Sequence, residues 1–366
     1  MVEKVQPPER FYQLDSLRGL ATIGIIILHL RHFGVMPLYA LLKPLYIGGY
    51  HLVSLFFIIS GFLLTHKYLK KNTGTVAHNI KDRLIRLYPL HFITLMAVLV
   101  GQYILFYRLE QPWFEYTFNN AKHFFLNLFL INQIGLQDGF SFNGPAWFLS
   151  CLLFANIIFF LLIAKKKHIL ALIIVSCLAS IVLLMFLETF LSAAAFDRIF
   201  YLLLALIEFF AGALLYYAYH SVKQIKSWFA SSKISVPIVL LSVVLTSMIM
   251  LRGYIAGLHW LTYLALIPLF SIMIIASISS PALRFLNWSR LVYLGKISFS
   301  AYILHFPIQL AIWLFCRWSG ISIRFDSPIF IFFFFLATFL IASLSFKYIE
   351  QPITHLRKKK LQPLPQ

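Results

Sequence analysis

Apolar runs of about twenty residues recur along the whole sequence and constrain its folding more than any other feature. Hydrophobic residues make up 61% of the 366 positions, whereas charged residues make up only 12%. A soluble domain carries about a quarter charged residues, so most of this surface cannot face water. A helix needs roughly 20 apolar residues to cross a bilayer core, and the runs therefore predict an all-α polytopic membrane protein.

Ten membrane spans are predicted, and an even number of crossings places both ends of the chain on the same side. The first ten residues, MVEKVQPPER, are polar and lead directly into the first run, so we expect a retained span rather than a cleaved signal. We assign one membrane domain, 1–356, followed by a basic tail, 357–366. The predicted spans are 18–33, 46–66, 88–107, 146–164, 168–188, 199–219, 234–251, 258–279, 291–316 and 327–347.

The distribution of basic residues predicts the orientation of these spans. Of the 31 Lys and Arg residues, 23 fall on the side that holds the termini and 8 fall on the other side. Because basic loops stay in the cytoplasm, both termini are expected to be cytoplasmic. The formal net charge of +19 then reflects membrane topology, and no nucleic-acid partner is needed to explain it.

The sequence predicts neither a metal centre nor a disulfide framework. Cys151, Cys177 and Cys316 lie far apart and inside apolar runs. No glycine-rich phosphate loop is present, so a nucleoside triphosphate is not an expected ligand.

One loop on the side opposite the termini is long enough to carry function. Residues 108–145 join the third and fourth spans, and loops of this length in a compact domain are usually functional. Within the loop, HFFLNLFLINQI at 123–134 is apolar but too short to cross the membrane. We expect an interfacial or re-entrant helix there.

Two ionisable residues in the first span, LDSLRGLATIGIIILHLRHF, are candidates for chemistry. Arg18 and His29 are eleven positions apart, which places them on one helical face about 16 Å apart along the axis. Arg18 lies at the cytoplasmic end, where it can bind phosphate, and a neutral imidazole at His29 suits general-base catalysis. Each also has a structural interpretation, Arg18 as a snorkelling residue and His29 as a buried histidine bonded to a neighbour.

A second basic group lies at the entry to the third span, in HNIKDRLIRLYPLH. Arg83 and Arg86 are three residues apart on one helical face, with Lys81 adjacent, and we expect them near the point where Arg18 emerges. Converging guanidinium groups hold phosphates by paired charge-assisted hydrogen bonds. The alternative is that they serve only as a positive anchor on the cytoplasmic side.

The remaining intramembrane polar residues are fewer. Glu208 has no basic partner nearby in sequence and is expected to be paired or protonated. Ser298, Tyr302 and His305 share GKISFSAYILHFP, where small and polar residues are more often helix-packing sites than catalytic groups.

Seven motifs now stand in a fixed order along the chain. They are the Arg18 and His29 pair, FFIISGFLLT, RLIRLYPL, GPAWFLS, EFFAGALL, LGKISFSAYILHFPI and FKYIEQPI. Together they resemble the bacterial integral-membrane acyltransferase family three, which includes O-acetyltransferases of lipopolysaccharide O-antigen, capsule, peptidoglycan and nodulation factors. The resemblance covers residues 11–356.

The resemblance implies a multi-pass enzyme of the bacterial inner membrane that moves acetyl groups from cytoplasmic acetyl-CoA to a carbohydrate hydroxyl on the periplasmic side. The family's essential arginine and histidine fall on Arg18 and His29, and its cytoplasmic arginine pair falls on Arg83 and Arg86. We expect the three arginines to hold the coenzyme A phosphates and His29 to act as base, by direct transfer or through an acetyl-histidine. Candidates for orienting the acceptor are Trp147, Ser298, Tyr302, His305 and Glu208.

Two positions depart from the family pattern. Ser54 stands where many members carry an acidic residue before the paired aromatics of the second span, and WFLSCLLF lacks the glutamate that many have after the tryptophan motif.

Two rival interpretations stay open. One is a transporter of a glycan or small anion with Arg18 and His29 as substrate and proton site, and the other is a regulatory or structural membrane protein without activity.

Overall fold

The chain is helical throughout the part that the computed structural model describes, which is residues 10–69, 74–165, 167–252 and 259–353. These residues contain no β-strand. Their α-helices, in chain order, are α1 (Tyr12–His29), α2 (Tyr39–Gly48), α3 (Leu52–Leu69), α4 (Val76–Tyr103), α5 (Ala121–Leu128), α6 (Trp147–Ala164), α7 (Ile169–Phe190), α8 (Ala193–Ser221), α9 (Lys223–Ala230), α10 (Ser232–Arg252), α11 (His259–Ser279), α12 (Ser289–Ser319) and α13 (Pro328–Ser345).

The predicted number of membrane spans is confirmed. Within the described residues, ten helical segments are long and apolar enough to cross a membrane. Short 3₁₀ or π turns extend several of them, and the turn Gly49–His51 joins α2 and α3 into the second span. The predicted tail, 357–366, lies outside the described residues, and the cytoplasmic position of the termini stays a prediction.

The predicted starts of the first and third spans are wrong. Helix α1 begins at Tyr12 rather than at residue 18, and α4 begins at Val76 rather than at residue 88. Hydropathy locates only the part of a helix that lies in hydrocarbon, whereas the helix end is set by capping. The Thr75 hydroxyl caps α4 by accepting the His78 backbone N–H at 3.3 Å. The arginines of both helices therefore lie on regular helical backbone.

Glycines let the central helices approach one another closely. A Cβ atom at Gly61 of α3 would collide with the carbonyl oxygen of Phe209 in α8, and one at Gly212 would collide with the carbonyl oxygen of Ile58. Such small residues are the usual means by which membrane helices bring their backbones into contact. Helices α1, α3, α8 and α12 thus form a tight centre, while α7, α10 and α13 expose most of their surface.

The long loop, residues 109–143, is fixed to the bundle by buried amide groups. The Gln102 side chain donates to the Phe114 carbonyl at 3.0 Å and accepts the Phe114 N–H at 3.1 Å. The Asn143 side chain donates to the Ile303 carbonyl of α12 at 2.9 Å. A helix in this loop was predicted at 123–134, and α5 confirms it over a shorter range, Ala121–Leu128.

Adding a single methyl group at Gly212 should destabilise the bundle. We expect Gly212→Ala to lower the free energy of unfolding by about 1–3 kcal/mol, because α3 and α8 must separate to accommodate the new atom. Val182→Ile is the matched control, since it adds one carbon on α7 at a position that is 65% exposed. Equal unfolding midpoints for both variants in detergent would show that the two backbones are not in contact.

Candidate functional site

The predicted arginines meet at one end of the bundle. Arg18 from α1 and Arg83 and Arg86 from α4 line one cavity of about 230 Å³, which we call the arginine cavity. Lys67 of α3 lies in the same wall. The sequence prediction that these arginines lie together is therefore consistent with the fold.

The arginine cavity is suited to an anion. The Arg18 Nε is buried and has no hydrogen-bond partner among the described residues, and the guanidinium carbon lies 5.8 Å from the centre of the Phe56 ring. Arg18 and Arg86 are close enough to repel one another electrostatically. A buried N–H donor without a partner, among several cations, suits an anionic group such as a phosphate.

A carboxylate that the sequence analysis did not select also belongs to this end. Glu350 is 7% exposed, accepts a hydrogen bond from the Ser300 hydroxyl, and interacts electrostatically with Arg18 and Arg86. The available signal was an ionisable residue inside FKYIEQPI, at the end of the last span. Its partners could not be inferred, because they come from helices far away in sequence.

His29 opens onto a larger cavity of about 750 Å³, which we call the histidine cavity. The walls come from α1, α3, α6, α8, α11 and α12 and from the long loop. Trp147 and Tyr302, both predicted to contact the acceptor, line this cavity, while Arg18 lines only the other one. Further polar lining residues that the sequence analysis did not select are His51, Gln133, Gln137, Arg198, Tyr201 and Tyr263.

A hydrogen-bonded group surrounds the imidazole of His29. Its Nδ1 lies 3.2 Å from Nε2 of His32, and the His32 Nδ1 lies 3.2 Å from Oε1 of Gln309. The Gln309 Nε2 donates to the backbone carbonyl of His29 at 2.9 Å. The His305 ring packs on His29 with 4.9 Å between ring centres. Sequence spacing could have indicated His32, one turn beyond His29, but Gln309 comes from α12 and gave no comparable signal.

The histidine cluster does not form a metal site. Within the described ranges, no three His, Cys, Asp or Glu side chains are arranged to hold a metal ion. The side chain of His32 is only 1% exposed, and its Nε2 lies 3.5 Å from Oε1 of Glu115 in the long loop. Burial raises the pKa of Glu115, although nearby Arg31 opposes the shift.

Aromatic side chains form one wall of the histidine cavity. The Trp147 and Tyr201 ring centres are 5.0 Å apart, and Phe140 lies 5.9 Å from Tyr201. Tyr116 continues the wall at 6.1 Å from Phe140, and burial raises the pKa of its hydroxyl. Flat aromatic faces beside polar groups are suited to a ligand with both apolar and hydroxyl faces.

Glu208 lies beneath this wall and contacts Ser54. It lines a pocket of about 20 Å³ together with Ser54, Trp147 and Tyr201, and it is hydrogen-bonded to the Ser54 side chain. The sixth span therefore supplies a carboxylate beside the very position at which the second span departs from the family pattern.

The other two predicted acceptor-binding residues lie away from the cavity surface. The Ser298 hydroxyl is fully buried without a hydrogen-bond partner among the described residues, and it lines neither large cavity. His305 lies behind His29, in ring contact with it, and is not part of the cavity lining. The structure thus brings Trp147 and Tyr302 to the histidine cavity and Glu208 just below it.

Three aromatic rings from the linings of the two cavities pack against one another. Phe56 and Phe148 line the arginine cavity, and Tyr302 lines the histidine cavity. The ring centres lie 5.9 Å apart for Phe56 and Phe148, 6.2 Å for Phe56 and Tyr302, and 5.6 Å for Phe148 and Tyr302. The Tyr302 hydroxyl donates to the Pro145 carbonyl at 2.9 Å, which fixes the ring. We call this group the aromatic partition.

Comparison with known proteins identifies the family. The family described as an acyltransferase domain matches residues 11–347, which is nearly the whole chain. The chain belongs to this acyltransferase family. The resemblance inferred from the ordered motifs is therefore confirmed, and the arginine and histidine cavities are cavities of an acyltransferase domain.

Two of three relatives of this acyltransferase domain carry O-acetyltransferase names. The chain is 25% identical to O-acetyltransferase OatA of Staphylococcus aureus over 98% of its own length and 59% of that protein. It is 38% identical to a putative O-acetyltransferase of S. aureus strain COL over 23% of the chain and 13% of that protein. It is 39% identical to protein 2 in the picA locus of Rhizobium radiobacter over 29% of the chain and 52% of that protein. The matches cover less than two thirds of each relative, and no solved structure matches the chain.

Asp138 clamps the long loop onto the rim of the histidine cavity. Its carboxylate lies 2.7 Å from the Lys122 Nζ and 3.2 Å from the Arg198 guanidinium, and it lies 3.6 Å from His123. The hydrogen bond from Lys122 and the nearby cations lower the pKa of Asp138 below its usual 3.8. The ionised carboxylate therefore stabilises the loop fully at pH values above the usual pKa of an aspartate. This stabilisation is lost as the pH falls through the lowered pKa.

Removing the charge of Asp138 should loosen the loop at neutral pH. We expect Asp138→Asn to speed backbone hydrogen exchange in the described loop residues around α5, because Lys122 and Arg198 lose their shared partner. Asp326→Asn is the matched control, since Asp326 is paired with Arg324 at 3.6 Å but is 60% exposed on a different connection. Equal exchange in both variants would contradict a clamping role for Asp138.

Proposed function

We propose that this protein is an O-acyltransferase of the bacterial inner membrane that moves an acetyl group from cytoplasmic acetyl-CoA to a hydroxyl of a cell-surface carbohydrate. One observation carries the proposal. A single helix, α1, presents Arg18 to a cationic cavity at one end and His29 to a larger aromatic cavity at the other. Membership of the acyltransferase family and the names of the relatives support this assignment.

The arginine cavity is the proposed binding site for the phosphates of acetyl-CoA. Guanidinium groups can hold phosphate oxygens through two parallel hydrogen bonds, and three of them converge here with Lys67. The unpaired Nε of Arg18 would gain an acceptor on binding. Both termini would then lie in the cytoplasm, as the distribution of basic residues predicts.

The histidine cavity is the proposed acceptor site. The wall of Trp147, Tyr201 and Phe140 offers flat apolar faces for a sugar ring. Gln133, Gln137 and His51 are polar neighbours in the same cavity and can bond hydroxyl groups. Carbohydrates carry both features, and this cavity lies at the end of α1 opposite to Arg18.

His29 would act as the general base in the transfer. It takes the proton of the sugar hydroxyl while the oxygen attacks the thioester carbonyl carbon; the carbon–sulfur bond then breaks, and the thiolate leaves and takes up a proton. Such assistance contributes about 10²- to 10⁴-fold in rate. A two-step route, with the acetyl group first on His29 and then on the sugar oxygen, uses the same atoms.

The aromatic partition lies on the path between donor and base. Phe56 contacts the guanidinium of Arg18, and Tyr302 is part of the cavity that His29 lines. For the thioester to reach His29, these rings must move apart to admit the narrow acyl-bearing arm. The partition therefore separates the two cavities except when a donor occupies the path.

Replacing His29 should distinguish the proposed enzyme function from the rival transporter function. With acetyl-labelled acetyl-CoA, wild-type membranes should gain label in glycan. In His29→Ala the rate of this transfer should fall about 10²-fold or more, because the base is gone. His168→Gln, at an exposed histidine between α6 and α7, is the control. Uptake of label without covalent transfer would favour the transporter, and normal transfer by His29→Ala would contradict the base assignment.

Arg86→Gln should weaken the affinity for acetyl-CoA more than it slows the chemistry. Losing one charge-assisted contact to phosphate should raise KM about tenfold or more. The control is Arg290→Gln, because Arg290 is exposed and stacks on Trp288 outside the arginine cavity. The comparison of KM and kcat in both variants measures the effect, and equal KM values would exclude Arg86 from donor binding.

A further inference from the structure

The orientation of the Gln309 side chain determines which nitrogens of the histidine cluster carry protons. Its amide nitrogen faces the backbone carbonyl of His29 at 2.9 Å. A carbonyl can only accept a hydrogen bond, so this side of the amide must be the NH₂ group. The other side, which faces His32, is therefore the oxygen, and it can only accept.

The proton positions follow from the Gln309 oxygen. The His32 Nδ1 lies 3.2 Å from that oxygen and must donate to it. A neutral imidazole has only one N–H, so the other nitrogen of His32, Nε2, is an acceptor. Because this Nε2 lies 3.2 Å from Nδ1 of His29, the N–H of His29 must be on Nδ1. The Nε2 of His29 is then left with a free lone pair on a ring that lines the histidine cavity.

We infer that Gln309 and His32 are positioning residues that hold His29 in the tautomer with a protonated Nδ1 and a bare Nε2, the form that can accept the proton of the acceptor hydroxyl. The inference rests on the proposed function, in which His29 is the base. It adds two residues to the catalytic apparatus that act through His29 and do not contact the reacting atoms. It also assigns Nε2 as the atom that receives the proton.

The surroundings of the pair agree with this role. When His29 gains a proton, the hydrogen bond from its Nδ1 to His32 becomes charge-assisted and stronger. Glu115 of the long loop lies 3.5 Å from the Nε2 of His32, longer than the usual N–H···O distance, so the Nδ1 of His29 at 3.2 Å is the nearer partner of that nitrogen. Arg31 lies on the same turn as His32 and carries a positive charge. The His305 ring of α12 lies 4.9 Å from the His29 ring between centres, and neither of its nitrogens has a hydrogen-bond partner among the described residues.

The tautomer can be measured without any assay of activity. In protein labelled with ¹⁵N-histidine, the His29 signals, assigned by their loss in His29→Gln, should show a protonated Nδ1 and an unprotonated Nε2. Gln309→Leu and His32→Phe should abolish or mix this state, and His168→Gln should leave it unchanged. A wild-type His29 with the proton on Nε2 would overturn the inference, and so would an unchanged tautomer in both variants.

Kinetics supply the second readout. Gln309→Leu and His32→Phe should lower kcat on the order of 10²-fold, because only the population with a bare Nε2 can act as base, while KM for acetyl-CoA changes little. Unchanged kcat in both folded variants would overturn the inference. If either variant fails to fold, the tautomer measured in the wild-type protein still decides whether the inference holds. The expected tautomer in a wild-type protein that transfers no acetyl group would support the positioning and contradict the proposed function.

Discussion

Close packing of α1 against α12 is the contact on which the rest of the site depends. Gly19 lies against Gly295, where a Cβ atom on either residue would meet the backbone of the other helix. This approach brings Arg18 within electrostatic reach of Glu350 at one end, and it places His29 next to His305 and Gln309 at the other. A membrane offers no water to satisfy polar groups, so each of these side chains needs protein partners. Helix α12 supplies most of them.

The sequence predicted the features that depend on helical periodicity and charge. Arg18 and His29 fall on one face because eleven residues complete about three turns, and Arg83 and Arg86 share a face because they are three apart. The positive-inside pattern placed the three arginines on the same side, and one cavity contains them all. These inferences need only local geometry and the number of crossings.

Features that join distant helices could not be predicted. Gln309 meets His32 across 277 positions, and Ser300 meets Glu350 from a different helix. The chain has 38 Phe residues, and nothing in their spacing selects Phe56 and Phe148 as members of the partition. The helix starts at Tyr12 and Val76 were missed because hydropathy follows the hydrocarbon layer, whereas both helices continue beyond it through polar residues; at Val76 the Thr75 side chain caps the helix, and at Tyr12 no side chain does.

The aromatic partition has a consequence for the membrane as a whole. Two cavities that open at opposite ends of a bundle would, if joined, form a continuous water path lined by ionisable groups. Moving one elementary charge across a potential of about 100 mV releases roughly 2.3 kcal/mol, so such a path would dissipate ion gradients. The packed rings of Phe56, Phe148 and Tyr302 would act as an insulating layer between the two cavities. If donor and acceptor come from opposite sides of the membrane, as proposed, the partition would keep that membrane electrically sealed.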